Sequence, residues 1–464
     1  MANVNRAPAA VAEAIDRCEL GKFASGGERP PMSSASLSTA WPVAVHLLAR
    51  WREHHERVDE LLERTEVAAL DRVARARCQG LLFGAVRHLG RIESHTDPLL
   101  AKPPRAVLWA VLMVAGWELI EGGTAEAQVA RVVHHAVEQA KTLASPPEAR
   151  LVNAVVRKLA VALAADVAPA DDAPVAALAA WYSHPEWLIE RWQKEFGVAS
   201  TAALLRWNQE PATVQVRWRD MTQPPSIEAE GALRATAVEG FYDVAPGHWK
   251  EVEGWLTAGL AYVQNPATRL AVDLLATRPG EEVLDLCAAP GGKSVAIADA
   301  LGGSGRIVAV DLPGPRLQRL KQNLSRIETV PVALVAADVL LAGRELFKEH
   351  GLPLEYPAVL VDVPCSNTGV MRHRADVKWR LQAGDFAKHA GQQLRLLQAA
   401  ARLVAPGGRV VYSTCSLDPE ENEQVVAAFC AGSHGGFTLE DQVLGRPWEN
   451  GHDGAAAFRL RRVK

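Results

Sequence analysis

Residues 283–294 read Val283-Leu284-Asp285-Leu286-Cys287-Ala288-Ala289-Pro290-Gly291-Gly292-Lys293-Ser294. A short apolar run of strand length ends beside a carboxylate, crosses a stretch of small and turn-forming residues, and enters a helical segment near Lys293. Small residues let backbone approach a ligand closely, and the first turn of a helix offers N–H groups that have no partner in the helix. The stretch therefore predicts a strand, a ligand loop and a helix.

The sequence around it repeats the pattern. Ile307–Val310, Val332–Ala336, Ala358–Val361 and Arg409–Ser413 are apolar, β-branched runs, and helical stretches separate most of them. Strands buried on both faces read this way in a mostly parallel, doubly wound sheet, whose ligands lie beyond the carboxyl ends of the strands. The second strand ends at Asp311, twenty residues after Gly291. A carboxylate there suits the hydroxyls of a ribose. The third ends in Ala337-Asp338, where a second carboxylate can accept from an adenine amino group. These parts predict a nucleoside-binding sheet. The loop has neither the G-x-G-x-x-G spacing of dinucleotide sites nor the G-x-x-x-x-G-K-[ST] spacing of phosphate loops. S-adenosylmethionine has no pyrophosphate to cradle, so it is favoured over both.

The fourth strand runs into Asp362-Val363-Pro364-Cys365-Ser366 and the fifth into Ser413-Thr414-Cys415-Ser416. Two thiols are thus expected on the cofactor's side of the sheet. Cys18, Cys78 and Cys430 read as small buried apolar residues, and Cys287 has no evident chemical task. Carbon 5 of a pyrimidine is too weak a nucleophile to take a methyl group directly. A thiolate that adds to carbon 6 turns the ring into an enamine, after which carbon 5 can attack a sulfonium methyl. The reaction needs an ionisable thiol, an acid near ring nitrogen 3 and a way to release the adduct. Asp362 suits the acid's role if burial raises its pKa.

In order, Ala288-Ala289-Pro290-Gly291-Gly292-Lys293, Asp362-Val363-Pro364-Cys365-Ser366 and Thr414-Cys415-Ser416 resemble the Nop/Sun family of RNA cytosine-carbon-5 methyltransferases over roughly residues 256–464. The resemblance implies Cys415 as nucleophile and Cys365 as the residue assisting product release. It places Asp362 at the target base and Lys293 between cofactor and substrate. Asp311 and Asp338 fall at the ribose and adenine ends of the cofactor. Ala288, Ala289, Pro290, Gly291 and Gly292 surround its amino-acid part, and Arg316 and Asp362 complete the cofactor set. DNA cytosine methyltransferases also carry Pro-Cys but use that cysteine as nucleophile and lack the Thr-Cys-Ser strand end. The family's Asp-Gly-Phe-Phe near the C-terminus is here Asp453-Gly454-Ala455-Ala456.

After Ser366 come Arg372, Arg374, Lys378, Arg380 and Lys388 against Asp376 and Asp385, with Trp379 as a stacking surface. This basic segment is expected to hold an RNA backbone, with Arg372, Arg374, Lys378 and Trp379 in contact. The target base must be unpaired or flipped out. Asp418-Pro419-Glu420-Glu421 reads as the start of a helix, with both glutamates structural.

With 464 residues the chain needs more than one core. Residues 1–40 read as a flexible lead-in, 41–165 as an all-helical domain, 175–255 as a connecting domain and 256–464 as the catalytic domain. The expected helices include Ala106–Ile120, Ala125–Lys141 and Pro147–Leu163; Ala164–Pro174 reads as a linker and Thr213–Trp218 as a strand. Ser183-His184-Pro185-Glu186 has the spacing of a capping box, which makes His184 a helix-start residue rather than a base. Lys102-Pro103, the Leu112–Leu119 helix, residues 137–141 and residues 151–157 resemble, in order, the NusB-like RNA-binding domain. Tyr182–Trp187 resembles the linker of the bacterial branch that joins such a domain to the catalytic unit and methylates a cytosine of small-subunit (16S) rRNA.

The formal net charge of −4 gives no global attraction to nucleic acid, so binding must use local patches. The six cysteines form no C-x-x-C pair, so no metal ribbon is expected, and their sparseness fits a reducing cytoplasm. The longest apolar stretch, Ala106–Trp117, is too short to span a bilayer, and residues 1–40 do not read as a secretory signal. The expectation is therefore a monomeric cytoplasmic rRNA methyltransferase that uses S-adenosylmethionine and no metal. Two alternatives stay open: the same chemistry on tRNA, and a non-catalytic ribosome-assembly factor.

Overall fold

A computed structural model of the protein describes residues 34–226 and 231–463. They form two compact units. The helical unit runs to Thr213 and also takes Met371–Arg380, while the catalytic unit comprises Val214–Val370 and the chain from Leu381 onward. The expected connecting domain is not a body of its own, because the division at Thr213/Val214 splits it between the two.

In the helical unit the three anticipated helices are Ala106–Gly122, Glu126–Leu143 and Pro146–Ala165. The last has a clear local start: Ser145 accepts from the Glu148 amide, and Pro146 occupies a position whose N–H a helix does not use. Ala106–Gly122 buries residues all round its circumference from Leu108 to Trp117, as a central core helix does. No helix among the described residues is long and apolar enough to cross a membrane. A helix opens at Ser34 and runs to His54, within the stretch expected as a lead-in; residues 1–33 lie outside the described residues.

The capping-box reading of Ser183 is corrected. Ser183 closes the preceding helix, Val175–Tyr182, in the left-handed conformation with φ of 52°, and its hydroxyl accepts from the Arg91 amide. Pro185, fixed near helical φ, takes the cap position of Glu186–Phe196 instead. His184 is buried between the Tyr182 carbonyl, Asn208 and the Trp192 ring, and burial with the charge of Lys378 holds it neutral, well below the ordinary histidine range.

The catalytic unit holds two sheets. β1 (Gln215–Trp218), β2 (Leu233–Ala235), β3 (Phe241–Val244) and β4 (Ala261–Val263) form a small antiparallel sheet in the order β2-β3-β1-β4. The large sheet comprises β5 (Glu282–Leu286), β6 (Arg306–Asp311), β7 (Val332–Ala336), β8 (Tyr356–Asp362), β9 (Val404–Thr414), β10 (Phe437–Gly445) and β11 (Ala455–Arg462). Its order is β10-β11-β9-β8-β5-β6-β7. β5 to β9 pair in parallel, and β11 and β10 close the edge antiparallel. The order reverses between β5 and β8, so a switch-point crevice opens beyond their carboxyl ends. β5, β6, β8 and β9 are buried along most of their length, and regular buried strands are a sound base for positioning side chains.

Candidate active site

The chain leaves β5 at Leu286 and enters the helix Gly292–Leu301 through the small-residue loop. Four side chains hold that loop. Asp311, at the end of β6, accepts from the Ala289 amide at 2.8 Å, and Arg316 donates to the Ala289 carbonyl at 2.7 Å. Asn323 donates to the Pro290 carbonyl at 2.7 Å. From the small sheet, Gln264 donates to the Gly292 carbonyl at 3.0 Å, and is itself held by Arg217 at 2.7 Å. Arg217 and Arg219 both clasp Asp299 on the same helix, at 2.7 Å each. The small sheet thus fixes the cofactor helix through residues some eighty positions away in sequence, which no local signal could reveal. Gly291 needs its missing side chain: φ is 107°, and a Cβ would stand 3.1 Å from Leu320 Cδ1.

Carboxylates stand at the ends of three neighbouring strands. Asp285 on β5 is buried, accepts from the Ser294 hydroxyl, and leaves Oδ1 with no hydrogen-bond partner among the described residues. Burial raises its pKa to about 7. Asp311 also accepts from the Leu312 amide, and Asp338, just past β7, caps the next helix through the Leu340 amide at 2.9 Å. Cys287 lies in the loop, where burial and the surrounding carboxylates push its thiol up to about 12.

The other side of the crevice carries the thiols. Cys365 follows β8 and Cys415 follows β9, and their sulfurs are 3.1 Å apart. Adjacent parallel strands in register bring them together across 50 residues of sequence. Asn367 joins the two loops, accepting from the Cys415 thiol at 3.4 Å and donating to the Cys365 carbonyl at 2.8 Å. Lys293 and Asp362 pair at 2.6 Å, and Ser413 donates to the other carboxylate oxygen at 2.7 Å. Burial opposes the Lys293 charge, but Asp362, with Cys415 and Asp285 behind it, more than offsets this and raises its pKa. A fixed ammonium therefore stands within electrostatic reach of the Cys415 sulfur. Asp362 stands as the ion-paired acceptor of Lys293 and Ser413, so the proton of this pair sits on Lys293.

Two backbone contacts hold the Cys415 loop, and sequence reading missed both. Gly369 donates to the Cys415 carbonyl at 2.9 Å, and Gly454 donates to the Gly369 carbonyl at 2.8 Å. The signal was available in Asp453-Gly454, where the sequence drew attention to the alanines that follow. Of those alanines, Ala455 pairs with Gly445, and Ala456 with Leu444 on one side and Thr414 on the other.

The basic segment is placed differently from expectation. Met371–Arg380 belongs to the helical unit. Lys378 is 1% exposed and donates to the Arg87 carbonyl at 3.0 Å; Trp379 donates to the Val86 carbonyl at 2.9 Å. Arg372 lies over the Trp207 ring at 4.3 Å and donates to the Pro211 carbonyl at 2.9 Å. Arg374 keeps a partly exposed side chain, 38%, near Asp59 at 3.5 Å. Lys378 cannot grip a phosphate from that position. Lys378 and Trp379 instead satisfy carbonyls at the helix end near Arg87.

The sheet order, the carboxylates at successive strand ends and the helical first unit define a NusB-like helical domain followed by a Rossmann-like methyltransferase domain. The family described as 16S rRNA methyltransferase RsmB/F matches residues 272–442, and the NusB family matches residues 39–161. The ribosomal RNA small subunit methyltransferase B of Vibrio cholerae is 32% identical over 376 residues, 76% of this chain and 80% of that protein. The probable counterpart in Bacillus subtilis is 30% identical over 366 residues, 75% of this chain and 78% of its own length. Among solved structures, the protein PH0851 matches with a TM-score of 0.70 at 21% identity, over 94% of this chain and all of that one. The chain belongs to the RsmB/F family of methyltransferases.

Proposed function

We propose that this enzyme transfers a methyl group from S-adenosylmethionine to carbon 5 of a cytosine in 16S rRNA, through a covalent adduct on Cys415. The observation that carries the reading is the pair of sulfurs 3.1 Å apart, beside the Lys293–Asp362 pair, at the switch point of the sheet. The family relationship supports rRNA as substrate and the order of the two thiols.

The residues present fit the cofactor. Asp285 offers an unsatisfied buried acceptor, Asp311 and Asp338 keep lone pairs for hydroxyl and amino donors, and the Ala288–Gly292 loop gives close backbone approach. When bound, S-adenosylmethionine supplies the methyl group. The protein's part is the activation of carbon 5. Cys415 Sγ, as thiolate, forms a bond to carbon 6 of an unpaired cytosine, and the electron pair moves to ring nitrogen 3 and carbon 5. Asp362 relays to nitrogen 3 a proton drawn from the Lys293 ammonium, and the proton returns by the same route as the adduct breaks down. After carbon 5 is methylated it loses its proton to solvent, the C6–S bond breaks, and the electron pair returns to Cys415 with Cys365 assisting. Arg374, with a side chain 38% exposed, and Lys388, 75% exposed, are the members of the basic segment left to meet RNA. The five described cysteines are free thiols, in keeping with a cytoplasmic enzyme.

Cys415→Ala should abolish methyl transfer from labelled S-adenosylmethionine, and Cys365→Ala should accumulate a protein–RNA adduct on a denaturing gel. The reverse pattern would exchange the two roles. Bisulfite sequencing of ribosomal and transfer RNA from cells with and without the protein identifies the substrate; loss of a tRNA signal alone would refute the rRNA assignment.

A further inference from the structure

The turn Pro419–Glu421 carries a carboxylate that the reaction above does not use. Glu421 is fully buried. Its Oε1 accepts from the Ser366 amide and from Gln393 Nε2, both at 2.9 Å, and its Oε2 accepts from the Ser366 hydroxyl. Gln393 Nε2 also donates to the Pro364 carbonyl at 3.0 Å. The groups on both sides of Cys365 are therefore gripped by one Glu–Gln pair. Tyr412 donates to the Glu421 carbonyl and lies 3.3 Å from Gln393 Oε1, which fixes the pair in turn. Asp418, the expected helix cap, instead accepts from Thr368 at 2.7 Å and joins the same polar layer. A helix start needs no buried charge, and burying one is costly unless several donors meet it. Here the donors are supplied by Ser366 and Gln393.

The two thiols consequently differ in their surroundings. The Lys293 ammonium is coupled to Cys415, whereas the buried Glu421 carboxylate acts on Cys365. Contact with Cys415 and burial hold the Cys365 thiol well above the ordinary cysteine range, and the Glu421 charge adds to both.

We propose that Glu421 is a positioning residue for the release step: with Gln393 it fixes the Cys365 loop, and its charge leaves Cys415 as the thiol free to attack. This rests on the roles given to the two cysteines above.

Glu421→Gln tests the charge separately from the contacts. Its amide oxygen can take both donors now on Oε1, and its NH2 can donate to the Ser366 hydroxyl, which has Ser416 Oγ at 3.2 Å to receive its proton. In full-length protein carrying Cys415→Ala, iodoacetamide alkylation of Cys365 is followed by peptide mass spectrometry across the cysteine range, about pH 6 to 11. Glu421→Gln should lower the midpoint by about half a pH unit or more. Glu421→Asp, with both cysteines present, keeps the charge but shortens the reach. It should leave the Cys365 midpoint in place while slowing release about tenfold, seen as adduct accumulation on a denaturing gel. If Glu421→Gln does not fold, the Asp variant alone decides. A midpoint unmoved by Glu421→Gln, or an Asp variant without adduct accumulation, overturns the proposal. Failure of the methyl-transfer reading would appear separately, as RNA methylation that survives Cys415→Ala.

Discussion

Gly369→Ala places a methyl group where the Cys415 loop meets the start of β11. An added Cβ would lie 2.7 Å from the Cys415 carbonyl oxygen and 2.8 Å from both Cα and the carbonyl oxygen of Gly454. All of these are backbone atoms, so no flexible side chain can yield. Ordinary C···O contact begins near ~3.3 Å, so the loops must part by roughly 0.5 Å. The overpacking costs about 1–3 kcal/mol, and weakening the two backbone hydrogen bonds adds on the order of 1 kcal/mol. For a unit of this size a total of about 2–4 kcal/mol lowers Tm by roughly 5–15 °C. Displacing Cys415, the proposed nucleophile, by a comparable distance should lower kcat by about 10- to 100-fold, since a misplacement of ~1 Å costs about 100-fold. Single-turnover methyl transfer and thermal unfolding measure the two effects. Gly454→Ala strains the same contact, its Cβ being 2.7 Å from Gly369 Cα, so the double variant should cost less than the sum of the singles. A kcat within about twofold of the unaltered enzyme would refute the claim that this contact sets the position of Cys415.

Two further predictions concern buried charge. Burial and the neighbouring Arg87 charge hold Lys378 well below the ordinary lysine range, so folding weakens its hold on a proton. Stability from this group is therefore lowest below its folded pKa and recovers as pH rises from there toward about 10.5. Lys378→Met gives up one hydrogen bond, worth about 1 kcal/mol, yet should raise Tm at neutral pH, with the gain shrinking at alkaline pH. Reduced RNA affinity and a smaller salt dependence, with Tm unchanged, would instead restore its RNA-binding role. For Asp285 the sign is opposite. With a folded pKa raised to about 7 from 3.8, its contribution is fully present below the unfolded value and is lost as pH rises to about 7. Asp285→Asn should flatten that fall, by up to about 4 kcal/mol on full linkage, while weakening cofactor binding; unfolding curves from acid to neutral pH that match the unaltered protein would count against a buried, unsatisfied carboxyl.

Much of the site could be read from the chain because local patterning carries it. Apolar runs of strand length must be buried on both faces, and a small-residue loop before a helix has few other uses, so Asp285, Ala288–Gly292, Asp311, Cys365 and Cys415 were found at strand ends from their spacing alone. The helix boundaries near 106, 126 and 146 followed from periodicity and capping. Long-range partnership was not legible. Whether Lys378 meets a phosphate or the Arg87 carbonyl, whether Glu421 merely starts a helix or grips Ser366, and how Gln264 and Arg217 reach Gly292 and Asp299 depend on groups 28 to 291 residues apart. A charge or an amide has the same local sequence signature in solvent and in a core. Only the folded chain decides whether desolvation turns it into a surface contact, a clamp or the field that sets two neighbouring thiols apart.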